Sequence, residues 1–517
     1  MHNLIKIVKK HKLLEKDQSA LNKLKHQDSL YFDSKEIKIY KNSLYVKNKI
    51  LFFLAKVNNK KSLYLVSKEP FKSEFKGSIQ DVVKLKVLEA KLIHENSKVL
   101  QKIFPFTAPI SLRNKKTTFG CGDRLGLATP GHIRAAINFD VYPVLAQQSI
   151  RELNFTRRTY SQVVSDVTFM VFQEGFERGY GADGDHLKTI EDINIALEAS
   201  MPMITLDLTN VLNTEVMHWS EDKINEEFGK FDIEEKNRIV NSYVNRPFKI
   251  GESEIIINSL ETKKCALLYR DAIDFAQKID FHLKKYRNNE YDLEISIDET
   301  TIPTLPAHHI FIINELIHKK LTINSLAPKF IGDFQKAVDY IGELDEFENN
   351  FKVHCEISKN FGNYKISIHS GSDKFSVYPI IGKYTEQRFH LKTAGTSWLE
   401  ALRCIAECNA DLYRKIHKKA FQYYNEALNY YHITADISKI KDIDTVEDKN
   451  LIEYLEKDES RQLLHITYGG ILNDPEIRKE FFETLDEYEE LHYELVKKHI
   501  EKHMELLGIK KLNKRDS

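Results

Sequence analysis

The chain has 517 residues, 76 Lys plus Arg against 76 Asp plus Glu, and 42% hydrophobic residues. That length buries a large core and suits one large domain with appendages. The charge balance gives no basis for nucleic acid or an anionic membrane as main partner, which leaves a small polar substrate. Five scattered cysteines suit a reducing compartment. The basic N-terminus lacks a signal-peptide core, and no apolar run reaches the roughly 18 residues of a membrane helix. A cytoplasmic protein is expected.

From Lys35 to Val66 apolar and polar residues alternate around Asn-rich turns, as in an antiparallel meander. Residues 1–105 are read as a β-rich N-terminal appendage. Beyond Phe106, short apolar runs ending in polar residues alternate with helical patterns, the signature of repeated βα units. The strand candidates are Thr117 to Gly122, Tyr142 to Ile150, the approach to Asp185, Pro202 to Leu208, Asp292 to Asp298, Thr322 to Ala327, Tyr364 to Ser370 and Phe389 to Ala394. About eight such strands close a TIM barrel, an α/β fold with its active site at the C-terminal strand ends. The barrel is placed at 106–425, interrupted by an insertion at about 209–289. Insertions of this kind cover a site or make homo-oligomer contacts. Residues 426–517 are read as a C-terminal helical extension, ending in a frayed basic tail from Lys510.

FQEGFERGYGADGDHLKT, from Phe172 to Thr189, concentrates Asp183, Asp185, His186 and Lys188 in one Gly-broken segment. Its G-x-G-x-x-G match follows a helix and carries two aspartates, which would repel a pyrophosphate, so a dinucleotide site is not expected. His186, His309 and His369 belong to polar clusters at or just beyond strand ends and are the metal-ligand candidates. Such nitrogen and oxygen donors suit one divalent ion: zinc, manganese, nickel or iron. His308 diverges from its neighbour His309, so at most one of the two binds. Asp185 and Glu299, at the ends of different strands, form the candidate acid/base pair, with Asp298 competing for the second place. Arg124, Gln147, Lys188, Asp373, Lys374 and Lys392 are the candidate substrate-binding residues.

FGCGDRLGLATPGHIRA, AQQSIREL, the segment around Asp185, ISIDETTIPT, NSLAPKFIGDFQKAVDYIG, SIHSGSDKFSVYPIIGKYTEQRFHLKTAGTSWLEALR and LLHITYGGIL resemble the tagaturonate epimerase family, in long blocks from about Thr117 to beyond Gly470. The resemblance implies a divalent-metal-dependent enzyme that interconverts D-tagaturonate and D-fructuronate, with some relatives acting on uncharged ketohexoses. It further implies Asp185 as proton acceptor, Glu299 as proton donor and His186, His309 and His369 as metal ligands. The two sugars differ at a carbinol carbon acidified by neither ketone nor carboxylate, so simple deprotonation gives an unstabilised carbanion. Without a dinucleotide site for transient oxidation, retro-aldol cleavage and re-addition is the expected route. A metal-dependent aldolase or sugar isomerase is the alternative on the same barrel. A non-catalytic sugar-acid-binding barrel is the alternative of another class.

Overall fold

The structure, a computed structural model, describes residues 1–25, 33–34, 36–300 and 302–513. Lys35, where the predicted meander begins, and residues 514–517 of the predicted tail lie outside the described residues.

Apolar alternation near the N-terminus produces a seven-stranded sheet that includes antiparallel Ile50–Val57, Lys60–Ser67, Gly77–Val82 and Leu85–Ala90. Asn58 and Asn59 turn the first of these hairpins with φ of 49° and 59°, the left-handed conformation that a two-residue turn requires and that asparagine tolerates. One sheet face meets the barrel through rings, with Tyr45 and Phe104 each centred 5.2 Å from Phe172.

Eight parallel strands form the closed barrel: β1 (Thr118–Cys121), β2 (Tyr142–Ser149), β3 (Gly181–Leu187), β4 (Met203–Asp207), β5 (Asp292–Ser296), β6 (Ser325–Ala327), β7 (Lys365–Ile368) and β8 (Phe389–Thr393). Every predicted strand has its counterpart. The strands read as buried apolar runs because helices cover the sheet on the outside. Helix α1 (Tyr160–Glu174) begins at a Thr159/Gln162 capping box and stops at Gly175, whose φ of +61° ends it.

The insertion between β4 and β5 includes a small hairpin, Pro247–Ile250 with Ser253–Ile256, and the 29-residue helix α2 (Ser259–Arg287). Helix α3 (Pro306–His318) follows β5 on the outer layer. After β8 the predicted long helical region is two helices, α4 (Thr396–Cys408) and α5 (Ala410–Ala427), broken at Asn409, whose side chain caps the second. The last helix, α6 (Glu489–Leu506), packs against the helix that follows β1 and against α4. Among the described residues no helix is long and apolar enough to cross a membrane, and all five cysteines are free.

Candidate active site

Inside the barrel the strands place an unusual layer of charge. Lys392 of β8, with its side chain 4% exposed, lies 2.9 Å from Asp183, 2.7 Å from Asp185 and 2.9 Å from Glu294. Side chains from β3, β5 and β8 all point into the barrel interior, so one ammonium meets three carboxylates here. Burial works against the charge of Asp185 and Glu294, but Lys392 together with the neighbouring imidazoles outweighs it and holds both well below the usual carboxylate range. Asp183 takes the cost of crowding: burial, with Asp185 and Glu294 beside it, raises it to about 6 despite Lys392.

Above this layer lies a cavity of about 330 Å³ at the C-terminal strand ends. Asp185 and His186 both line it, although adjacent strand residues ordinarily point to opposite faces. The backbone resolves the conflict. The pairing of β3 with β4 shifts register between Gly184 and Leu187, and His186 takes φ of +55°, a left-handed conformation that costs a non-glycine residue on the order of 1–2 kcal/mol.

Two imidazoles are oriented the same way. His186 Nδ1 is 2.9 Å from Asp185 Oδ1, and His369 Nε2 is 2.7 Å from Glu294 Oε1. Each of those nitrogens donates to its carboxylate, so in the neutral ring the other nitrogen bears a lone pair. Both lone pairs face Asp298: His369 Nδ1 stands 3.1 Å and His186 Nε2 3.6 Å from Asp298 Oδ1. The 3.1 Å contact is not a hydrogen bond, and His369 Nδ1 is buried without a hydrogen-bond partner. Lone pair facing carboxylate is repulsive unless a cation or a proton lies between. The spacings approach the ~3–3.4 Å edges that ligands about 2.1 Å from one ion subtend, and a carboxylate behind each imidazole is the usual support of a metal-binding histidine. The field favours positive charge too: burial opposes the His186 imidazolium, yet Asp185 and Asp298 raise it well above its ordinary value. His186, Asp298 and His369 therefore fit a divalent cation by donor set, spacing and electrostatics.

The structure does not bring the third expected ligand to this group. His309 is fully buried in α3, with Nδ1 2.8 Å from His354 and Nε2 2.6 Å from the Tyr364 hydroxyl. The chain has already turned into the outer helix layer by that residue, so it cannot join a group at the strand ends. Its neighbour His308 points elsewhere, to Tyr269 and Glu261. Asp298 stands where His309 was expected.

Asp298 and Glu299 both reach the mouth. Ser296 Oγ hydrogen-bonds Asp298, while Glu299 Oε1 is 4.0 Å from His186 and Oε2 is 3.4 Å from Lys188. Lys188 also lies 3.2 Å from Asp207 at the rim. The hydrogen bonds and ion pairs of Asp185 run through Oδ1, leaving Oδ2 as its second acceptor.

Of the expected substrate-binding residues, Arg124, Gln147 and Lys392 line the cavity. Gln147 is 1% exposed, with both amide atoms unpartnered. Gly120 makes room for it, since a Cβ there would lie 1.8 Å from Gln147 Oε1. Arg124 is held by Glu152 at 3.0 Å, the Glu of the capping box that starts the helix after β2, and stacks 3.8 Å above the Tyr468 ring. Asp373 and Lys374 are not brought to the cavity. Asp373 binds His499 of α6 and Arg461, each at 2.6 Å, and Lys374 donates to the carbonyls of Gln335, Val338 and Ser372. The loop after β7 turns these two side chains away from the mouth, Asp373 with φ of +60°. Sequence reasoning passed over Glu294, whose signal was a charge in the middle of an otherwise apolar strand, and Lys336, which gave none.

A family model described as "UxaE: tagaturonate epimerase" matches residues 40–507. The chain is 39% identical over 471 residues to the tagaturonate/fructuronate epimerase of Thermotoga maritima, covering 91% of this chain and 96% of that protein. A glycerol-complexed crystal structure of fructuronate-tagaturonate epimerase from Cohnella laeviribosi superposes with a TM-score of 0.87 at 39% identity, covering 95% of this chain and 99% of that one. The native crystal structure of the same enzyme gives 0.86 at 40% identity, over 92% and 97%.

Proposed function

The chain belongs to the tagaturonate epimerase family and is an isomerase, and from that premise we propose that it interconverts D-tagaturonate and D-fructuronate by inverting C4 (ketose numbering) through retro-aldol cleavage. The observation that carries this reading is the pair of carboxylate-backed histidines whose free lone pairs converge on Asp298, beside two carboxylates on different strands. His186, Asp298 and His369 would hold the divalent cation, which when bound supplies a Lewis acid for the ketone and enediolate oxygens.

The chain's own residues account for the rest. Asp185 accepts the O4 proton as the C3–C4 bond breaks, and the bonding electrons pass to the ketone oxygen. The resulting aldehyde turns, the enediolate adds to its other face, and Glu299 returns a proton to the new O4. Two groups on opposite sides are needed because the oxygen ends on the opposite side of C4. The unpartnered amide of Gln147 offers a donor and an acceptor to sugar hydroxyls. Lys392 and the neighbouring imidazoles favour the ionised form of Asp185, as a proton acceptor requires.

The test is to incubate the metal-loaded protein with fructuronate and follow tagaturonate by NMR, with an aldehyde trap in a parallel sample. Appearance of the epimer, and of a trapped three-carbon fragment, is expected. Free fragments without epimer would make it a lyase, and tightly bound nicotinamide dinucleotide would refute the retro-aldol route.

A further inference from the structure

The cavity wall is rich in cations, and nearly all of them are committed. Lys392 is held by three carboxylates. Arg124 is held by Glu152 and the His465 carbonyl, and Lys329 by the Thr300 carbonyl. Arg151 is looser, 3.8 Å from Glu299. Lys336 differs from all of these. Its Nζ donates to the Ser370 hydroxyl at 2.7 Å, and among the described residues no carboxylate oxygen lies within 4.0 Å of it.

An ammonium has three donors, so two remain uncommitted in a wall that faces the substrate. Arg151 and Arg124 are the positive groups that act on Lys336 most strongly, and the carboxylates of Glu152 and Asp298 act against them only from beyond ion-pair distance. Placing like charges together in a half-buried wall raises the free energy unless an anion enters between them. Among the described residues Lys336 makes no ion pair, and it differs from Lys374 of the loop after β7, whose ammonium is buried among backbone carbonyls.

We infer that Lys336, with Arg151 beside it, is the anchor for the C6 carboxylate of the sugar acid and sets the preference for a uronate over a neutral ketohexose. The inference rests on the epimerase reading above and adds a reason why cleavage need not lose its product. After the C3–C4 bond breaks, the aldehyde fragment comprises C4 to C6 and carries the carboxylate. Held by that carboxylate, it presents its other face by rotation about C4–C5 alone, without leaving the cavity. Lys336 is thus a positioning and specificity residue and takes no proton in the reaction.

The test is a charge series at this position, Lys336→Arg, Lys336→Met and Lys336→Glu, with kcat and KM for fructuronate and the melting temperature of each metal-loaded variant. Loss of a charge-assisted hydrogen bond predicts a 10- to 100-fold fall in kcat/KM for Met, on the order of what such bonds contribute. The fall should lie mainly in KM, with a larger loss for Glu, recovery in Arg and little change in melting. Aldehyde trapping should also rise relative to epimer in the Met variant. A KM for Met within about twofold of wild type would overturn the inference, as when the carboxylate is held elsewhere in the cavity. A loss that ignores charge, with Arg as poor as Met, would overturn it equally, as a packing role. If the wild-type protein does not convert fructuronate, the epimerase reading itself fails, and that is visible before any variant is compared.

Discussion

Replacing Glu489 with glutamine should loosen the docking of the N-terminal sheet by an amount that depends on pH. Glu489 begins α6 and gathers Lys38 at 2.7 Å, Lys61 at 3.3 Å and the Tyr40 hydroxyl at 2.8 Å, with its side chain only 10% exposed. Burial works against its charge, but Lys61 and Lys38 outweigh burial and lower it from 4.5 to about 2. Each unit is worth about 1.36 kcal/mol, so the ionised group contributes about 3 kcal/mol relative to the unfolded chain. The sign follows from the depressed value: the contribution is complete above pH 4.5 and is lost as pH falls toward 2. Melting curves of wild type and Glu489→Gln between pH 7 and pH 2.5 should therefore differ most at neutral pH and converge in acid. A difference below about 1 kcal/mol at pH 7, or one that persists undiminished at pH 2.5, would refute the reasoning.

Two further predictions concern the site. Glu294→Gln weakens the acceptor for His369 Nε2 and removes one of the three charges around Lys392, so affinity for a divalent cation, measured by competition with a chelating dye, should fall about 10- to 100-fold; unchanged affinity would remove His369 from the ligand set. Asp185→Asn and Glu299→Gln should each lower kcat by at least about 100-fold, as loss of a positioned acid or base does; full turnover in both would exclude the assigned roles.

The barrel was legible because its strands are short apolar runs that end in polar residues, and that pattern survives burial on both faces. The mouth was legible for the same reason: Asp185, His186, Glu299, His369 and Lys392 all sit at or next to strand ends. His309 could not be separated from the strand-end group in sequence: β5 ends at Ser296 and His309 lies inside α3, and sequence distance from a strand end does not show where the chain turns into a helix. Asp373 and Lys374 were misread similarly, since a left-handed residue in the loop after β7 reverses the side chains. Asp298 could not be separated from Glu299 while both were treated as extending β5; the strand ends at Ser296, and alternation no longer applies beyond it. Lys336 lies in a loop without periodicity, and only the absence of a carboxylate partner for it among the described residues distinguishes it.

The last helix has a consequence for how the molecule is made. α6 packs on the helix that follows β1, supplies Glu489 to the N-terminal sheet and reaches the loop after β7 through His499. All three surfaces leave the ribosome long before α6 does. A nascent chain can pair its strands in order of synthesis, but these early surfaces stay uncovered until α6 has been made, and the loop that follows His369 lacks its contact with His499 until then. Support of the cavity by its surrounding frame is thereby tied to synthesis of α6, and a polypeptide stalled before that helix would carry the cavity residues without the frame that steadies them.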